Sequence, residues 1–131
     1  MTLFQYKSSG ANSVGAYQMS GIPWFTSSVL ALSGVIEQFD FPYATRAITV
    51  HNGNHSNSHE LFVGVTENGL LGSNYFHLHE GETLRMEIRT KTLFLKTNKN
   101  NTNYSILAEL TTVPADSFPI ITASAGFQGV G

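Results

Sequence analysis

Between Asn74 and Lys96 the chain reads NYFHLHEGETLRMEIRTKTLFLK, and apolar and polar residues alternate through it with a period of two. A helix would space its apolar residues three and four apart, whereas a repeat of two collects them on one face of a strand. Phe76 and Leu78 fall on one side, with Tyr75, His77 and His79 on the other. Past a turn at Glu80-Gly81, Leu84, Met86 and Ile88 alternate with Thr83, Arg85, Glu87 and Arg89. Past a second break at Thr90-Lys91, Leu93 and Leu95 alternate with Thr92, Phe94 and Lys96. Each run has one dry and one wet face, and the three together read as a β-meander of consecutive antiparallel strands.

The same signal recurs along the chain. Residues 35–41 form a candidate strand closed by Pro42, and residues 45–52 form another that ends at Asn52-Gly53. After the polar loop 53–59 come Leu61, Val63 and Val65, and Glu67-Asn68-Gly69 with Gly72 marks the next turn. A polar tip at 98–103 precedes Tyr104, Ile106, Ala108 and Leu110, and Pro114 and Pro119 bracket a last short run at 118–122. No window of useful length carries apolar residues at helical spacing. About eight strands and no helix predict an all-β fold, an antiparallel eight-stranded jelly-roll sandwich, with an immunoglobulin-like or lectin-like sandwich as the near alternative.

Residues 1–34 differ in character. They are rich in Ser, Gly, Ala and Thr and carry one charge, Lys7, with Leu3, Phe4, Tyr6, Tyr17, Trp24 and Phe25 scattered among them. Such a stretch is too apolar for a solvated linker and too irregular for a helix. The expected layout is an extended N-terminal arm at 1–26, the jelly-roll domain at 27–122 and a flexible C-terminal tail at 123–131. The arm would gain order by lying on its own sandwich or on a neighbouring subunit, and residues 27–35 fit a first strand of the domain equally well.

A chain of 131 residues is one domain and buries about two thirds of its unfolded surface. With no cysteine it has no disulfide framework, no thiolate zinc site and no cysteine nucleophile. Only 12% of its residues are charged and the net charge is −2, so the positive field that draws proteins to phosphate backbones is missing, and no direct nucleic-acid partner is expected. The first residues lack the charged-then-apolar order of a secretory signal, and no apolar stretch reaches the length of a membrane span. The chain is expected to be soluble, unprocessed and made without a signal peptide. Triplets at 54–56, 100–102 and 103–105 fit the glycosylation acceptor pattern and are read as coincidences of an Asn-rich composition.

Of five histidines, His77 and His79 stand two apart on one strand face, and His55 and His59 lie in a polar loop. Imidazoles at that spacing can share a metal ion; the plainer reading is an exposed face that happens to use His. A cupin-like His-metal enzyme would need a His-x-His pair, a downstream Glu and a later fourth His. Here Glu80 and Glu82 follow His77-Leu78-His79 too closely, and no histidine follows His79. No serine sits in a G-x-S-x-G turn, no glycine-rich phosphate loop precedes a helix, and Asp40, Glu60, Glu67, Glu87, Glu109 and Asp116 are scattered. No catalytic residue, metal ligand or cofactor is therefore assigned. Trp24, Tyr43, Tyr75 and Phe94 are candidates to stack on sugars in a small binding or decoration module, although packing at a protein interface is the favoured use.

Residues 39–111 carry phrases that point further: Thr45-Arg46 before Ile48-Thr49-Val50, Val63-Gly64-Val65-Thr66 before Asn68-Gly69, and Asn74-Tyr75-Phe76. This run resembles the single-jelly-roll capsid proteins of large icosahedral DNA viruses and virophages, the pentameric vertex proteins, or pentons, in particular. The resemblance implies a structural protein of the virion, without catalysis or cofactor, that assembles as a homo-oligomer, a pentamer in the first instance, beside neighbouring capsid proteins. A minor cement or decoration protein on the same sandwich is the variant of this reading. The arms of such proteins tie subunits together, which nominates Trp24, Phe25, Phe118, Ile120 and Phe127 as interface residues.

Overall fold

A computed structural model describes residues 21–55 and 58–131, so most of the expected N-terminal arm, residues 1–20, lies outside the described residues. The period-two segments become strands: β1 (Ile22–Leu30), β2 (Glu37–Asp40), β3 (Tyr43–Asn52), β4 (Leu61–Gly64), β5 (Phe76–Leu78), β6 (Thr83–Met86), β7 (Thr92–Thr97) and β8 (Thr102–Pro114). They build an all-β sandwich of two antiparallel four-stranded sheets, ordered β1-β8-β3-β6 and β2-β7-β4-β5. Pairing is nested: β1 with β8, β2 with β7, β3 with β6 and β4 with β5. β8 also pairs with β3, and β4 with β7, which joins the four ribbons into two sheets.

Alternation sets which side chains meet between the sheets. From one sheet come Ile48 and Val50 of β3 and Tyr104, Ile106, Ala108 and Leu110 of β8; from the other come Leu61 and Val63 of β4, Leu78 of β5 and Leu93 and Leu95 of β7. All are buried, and Phe39, Leu84, Met86 and Ile88 close the sides of the same cluster. A smaller cluster of Ala44, Val113 and Phe118, with Ile121 against it, seals one end.

The structure departs from the sequence expectations in several places. The three strands between Asn74 and Lys96 are not a meander, because β5 pairs with β4, β6 with β3, and β7 with β2 and β4. The chain crosses from one sheet to the other at each break, since both sheets present a dry face to the same core. β1 starts at Ile22, inside the span assigned to the arm, where its nine residues pair continuously with β8 from Ile22↔Leu110 to Leu30↔Thr102. The run 118–122 is not a strand: Pro119 has no N–H to donate to a ladder, and Phe118 turns into the smaller cluster after a short 3-10 turn at Ala115–Ser117. The turn expected at Glu67-Asn68-Gly69 is a one-turn helix, α1 (Glu67–Leu71).

Thr66 caps α1 by accepting from the Gly69 N–H at 2.9 Å, and its hydroxyl donates to the Val130 carbonyl. The segment expected as a flexible tail folds back onto this helix, and the Ala123 N–H bonds the Gly131 carbonyl at 3.1 Å. Gly69 permits the approach, because a Cβ there would stand 2.4 Å from the Val130 oxygen and 2.7 Å from that of Asn74.

Ile48 is fully buried in the main cluster, and Ile48→Ala is expected to lower the free energy of unfolding by about 2–5 kcal/mol in urea titration. Burial pushes the Tyr104 phenol above its ordinary 10.0, Glu37 adds to the effect and the Ser28 hydroxyl opposes it. The unfolded chain then loses this proton first, so stability is complete below pH 10.0 and declines as the pH rises through the folded value. Tyr104→Phe should flatten that alkaline slope in pH-dependent melts.

Candidate functional site

In the β4–β5 ribbon Leu61 faces Leu78 and Phe62 faces His77. Leu61 and Leu78 point into the core, so Phe62 and His77 point outward by alternation. One step beyond the ladder the same register sets Glu60 opposite His79, on the outer face again. The His77 Nε2 lies 3.0 Å from Glu60 Oε2, and the His79 Nδ1 lies 3.5 Å from Glu60 Oε1. The three donor atoms all lie within 4.8 Å of one another.

The cluster rests on rigid neighbours. Phe62 stacks on His77 with centroids 4.8 Å apart, Tyr75 meets Phe62 edge-on at 5.1 Å, and the His77 and His79 rings are 4.5 Å apart. Glu60 is held through its backbone: its N–H donates to Asn98 Oδ1 at 2.8 Å, and its carbonyl accepts from Thr97 Oγ1 at 3.0 Å. The His79 N–H donates to Glu82 Oε1 at 2.6 Å across a turn in which Gly81 takes φ +75°, a left-handed conformation natural to glycine.

Beneath this surface lies Asn52, a fully buried polar side chain at the end of β3. Its Nδ2 donates to the carbonyls of His59 at 2.9 Å and Leu78 at 3.3 Å, and its Oδ1 accepts from the Asn54 N–H at 3.2 Å. Its own backbone bonds the 79–82 turn through Glu82 and Gly81. One amide therefore fixes the residue before Glu60 and the residue between the two histidines.

The other histidines of the polar loop do not join them. The His59 ring bonds Thr102 Oγ1 at 3.0 Å, and His55 lies near Gly81. Among the aromatic candidates, Trp24 is turned into the sandwich, edge-on to Phe41 at 4.9 Å and to Phe39 at 6.4 Å. Phe94, on the outer face, lines an open cleft of about 440 Å³ with Gln38, Thr92 and Ile120. Of the nominated interface residues Phe118 is buried, while Phe25, Ile120 and Phe127 are 73%, 65% and 39% exposed. Sequence reasoning missed Glu60 and Asn52. The parity of Glu60 with Phe62, once strand 61–64 is paired with 76–78, is the signal that would have found the first.

Asn52→Ala should leave the His59 and Leu78 carbonyls without their buried donor and cost about 1–3 kcal/mol of stability in urea titration. The same variant should broaden or shift the His77 and His79 ring resonances in NMR spectra. Among the described residues no helix is long and apolar enough to cross a membrane. A scan against protein-family models finds no match to this chain, and no curated protein matches its sequence.

Proposed function

We propose that the chain is a single jelly-roll structural subunit of a viral capsid, penton-like in that it closes into a ring of five, with no catalytic role. The observation that carries this reading is the nested pairing of β1 with β8, β2 with β7, β3 with β6 and β4 with β5, divided between sheets ordered 1-8-3-6 and 2-7-4-5. A ribbon of eight strands rolled in that way is what a jelly roll of two Greek keys requires. The fold hosts many functions, so the assembly role draws on the surface as well.

That surface has apolar groups with no cover inside the described chain. Phe25 and Val29 project from the outer side of β1, at 73% and 46% exposure, and Ile120 and Phe127 project from the segment after β8. β1 pairs only with β8 among the described residues, which leaves nine residues of sheet edge. Two different faces meeting side to side form a heterologous contact that closes into a ring when the rotation allows. Sparse charge and apolar patches suit such a contact. Neighbouring capsid proteins and a location in the virion complete the proposal.

Light scattering of the purified chain tests it, with a pentamer mass expected and ring-shaped particles by negative stain. Phe25→Ser should release subunits while circular dichroism stays unchanged, because Phe25 contributes little to the core. A monomer at high concentration would overturn the reading.

A further inference from the structure

We infer that Glu60, His77 and His79 form a binding site for a divalent transition-metal ion of the zinc class. The site does not depend on the assembly reading, since all three ligands come from one subunit. It is built by strand register: β4 and β5 hold their outward residues at fixed separations, and the Asn52 amide pins both strands from below.

The geometry is close to what the ion needs. Zinc bound tetrahedrally to nitrogen and oxygen at about 2.0–2.1 Å has donor-to-donor edges of about 3.3–3.4 Å. Glu60 meets the two rings through different oxygens, Oε2 at 3.0 Å from His77 Nε2 and Oε1 at 3.5 Å from His79 Nδ1, so a small rotation of the carboxylate brings one oxygen toward both. The histidine-to-histidine edge lies within 4.8 Å, and His79, 61% exposed, has room to turn inward. Two imidazoles and one carboxylate suit zinc, nickel or copper far better than magnesium or calcium, which prefer all-oxygen shells. The remaining tetrahedral corner is open to water.

The surroundings favour a cation. Asn98 Nδ2 reaches Glu60 Oε2 at 3.4 Å and steadies the carboxylate, while Phe62 fixes the His77 ring. Glu82 and Glu80 add negative charge on the adjoining turn and loop, where they accept from the N–H groups of His79 and Ser58. Lys96, opposite Phe62 on the outer face, is committed to the Leu70 carbonyl at 2.9 Å and to the Phe62 ring. In a bound state each imidazole presents an unprotonated ring nitrogen to the ion and keeps its hydrogen on the other nitrogen.

Calorimetric titration of the full chain with zinc chloride at neutral pH tests the inference, with competition by a chromophoric chelator. One equivalent should bind, and His77→Ala, His79→Ala and Glu60→Gln should each weaken binding by at least about tenfold. Cobalt(II) should give visible absorption bands of a low-coordinate site that the same variants abolish. His51→Ala, a histidine bonded to Thr83 elsewhere, should bind as the parent does. Circular dichroism separates loss of ligand from loss of fold, and Glu60→Gln preserves side-chain shape. Absence of stoichiometric zinc in the folded parent would overturn the site, as would binding unchanged in all three variants.

Discussion

Two apolar sheet faces cannot both be left in water, and here each covers the other. Ile48, Val50, Ile106 and Leu110 on one side and Leu61, Leu93 and Leu95 on the other form one dry layer whose burial drives the fold at about 25 cal/mol per Å². Because side chains alternate, filling that layer also decides what goes outside. Inward Leu61 and Leu78 oblige Phe62, His77 and, one residue further, Glu60 and His79 to face outward together. The candidate metal site is thus a by-product of the core: its ligands share a face because their neighbours are needed inside.

Polar groups within the sandwich are few and each has work to do on backbone atoms. Thr45, fully buried, donates to the Ile88 carbonyl at 2.8 Å and accepts from the Thr90 N–H at 3.0 Å, which anchors the link from β6 to β7 where the β3 register shifts. Asn52 does the same at the other end of β3 for the loop before β4 and the turn after β5. Buried amides and hydroxyls without partners are costly, so such residues hold loops in one geometry rather than merely tolerating it. The two ends of β3 are in this sense the mounting points of the irregular parts of the molecule.

Strands were legible in the sequence because alternation is a local property, and the dry residues of 74–96 are largely the ones that face the core. Partners were not legible, because a period of two reports that one face is dry and says nothing of which sheet supplies it. That is why β5, β6 and β7 read as neighbours although they alternate between sheets. The first strand was partly hidden by Gly21, Pro23 and the serines of 27–28, and its pairing with β8 comes from residues far along the chain. Trp24 and Phe118 looked like free apolar groups for the same reason: the rings that receive Trp24, Phe39 and Phe41, belong to another strand and its flank. Glu60 is one of several scattered carboxylates along the sequence, and only register brings it against His77 and His79.

The nested pairing also orders the closures that folding must make. β4 and β5 meet across α1, β3 then meets β6 with His51 and Thr83 only 32 residues apart, and β1 meets β8 with Ser27 and Ser105 78 residues apart. Closing the outermost pair first fixes the longest loop, whereas each inner pair shortens the free chain that the next pair must close. The entropically cheapest route is therefore a zipper that starts at α1 and runs outward in both directions. On a ribosome it cannot finish until β8 has emerged, and until then β1 and β3 stand without the strand that lies between them.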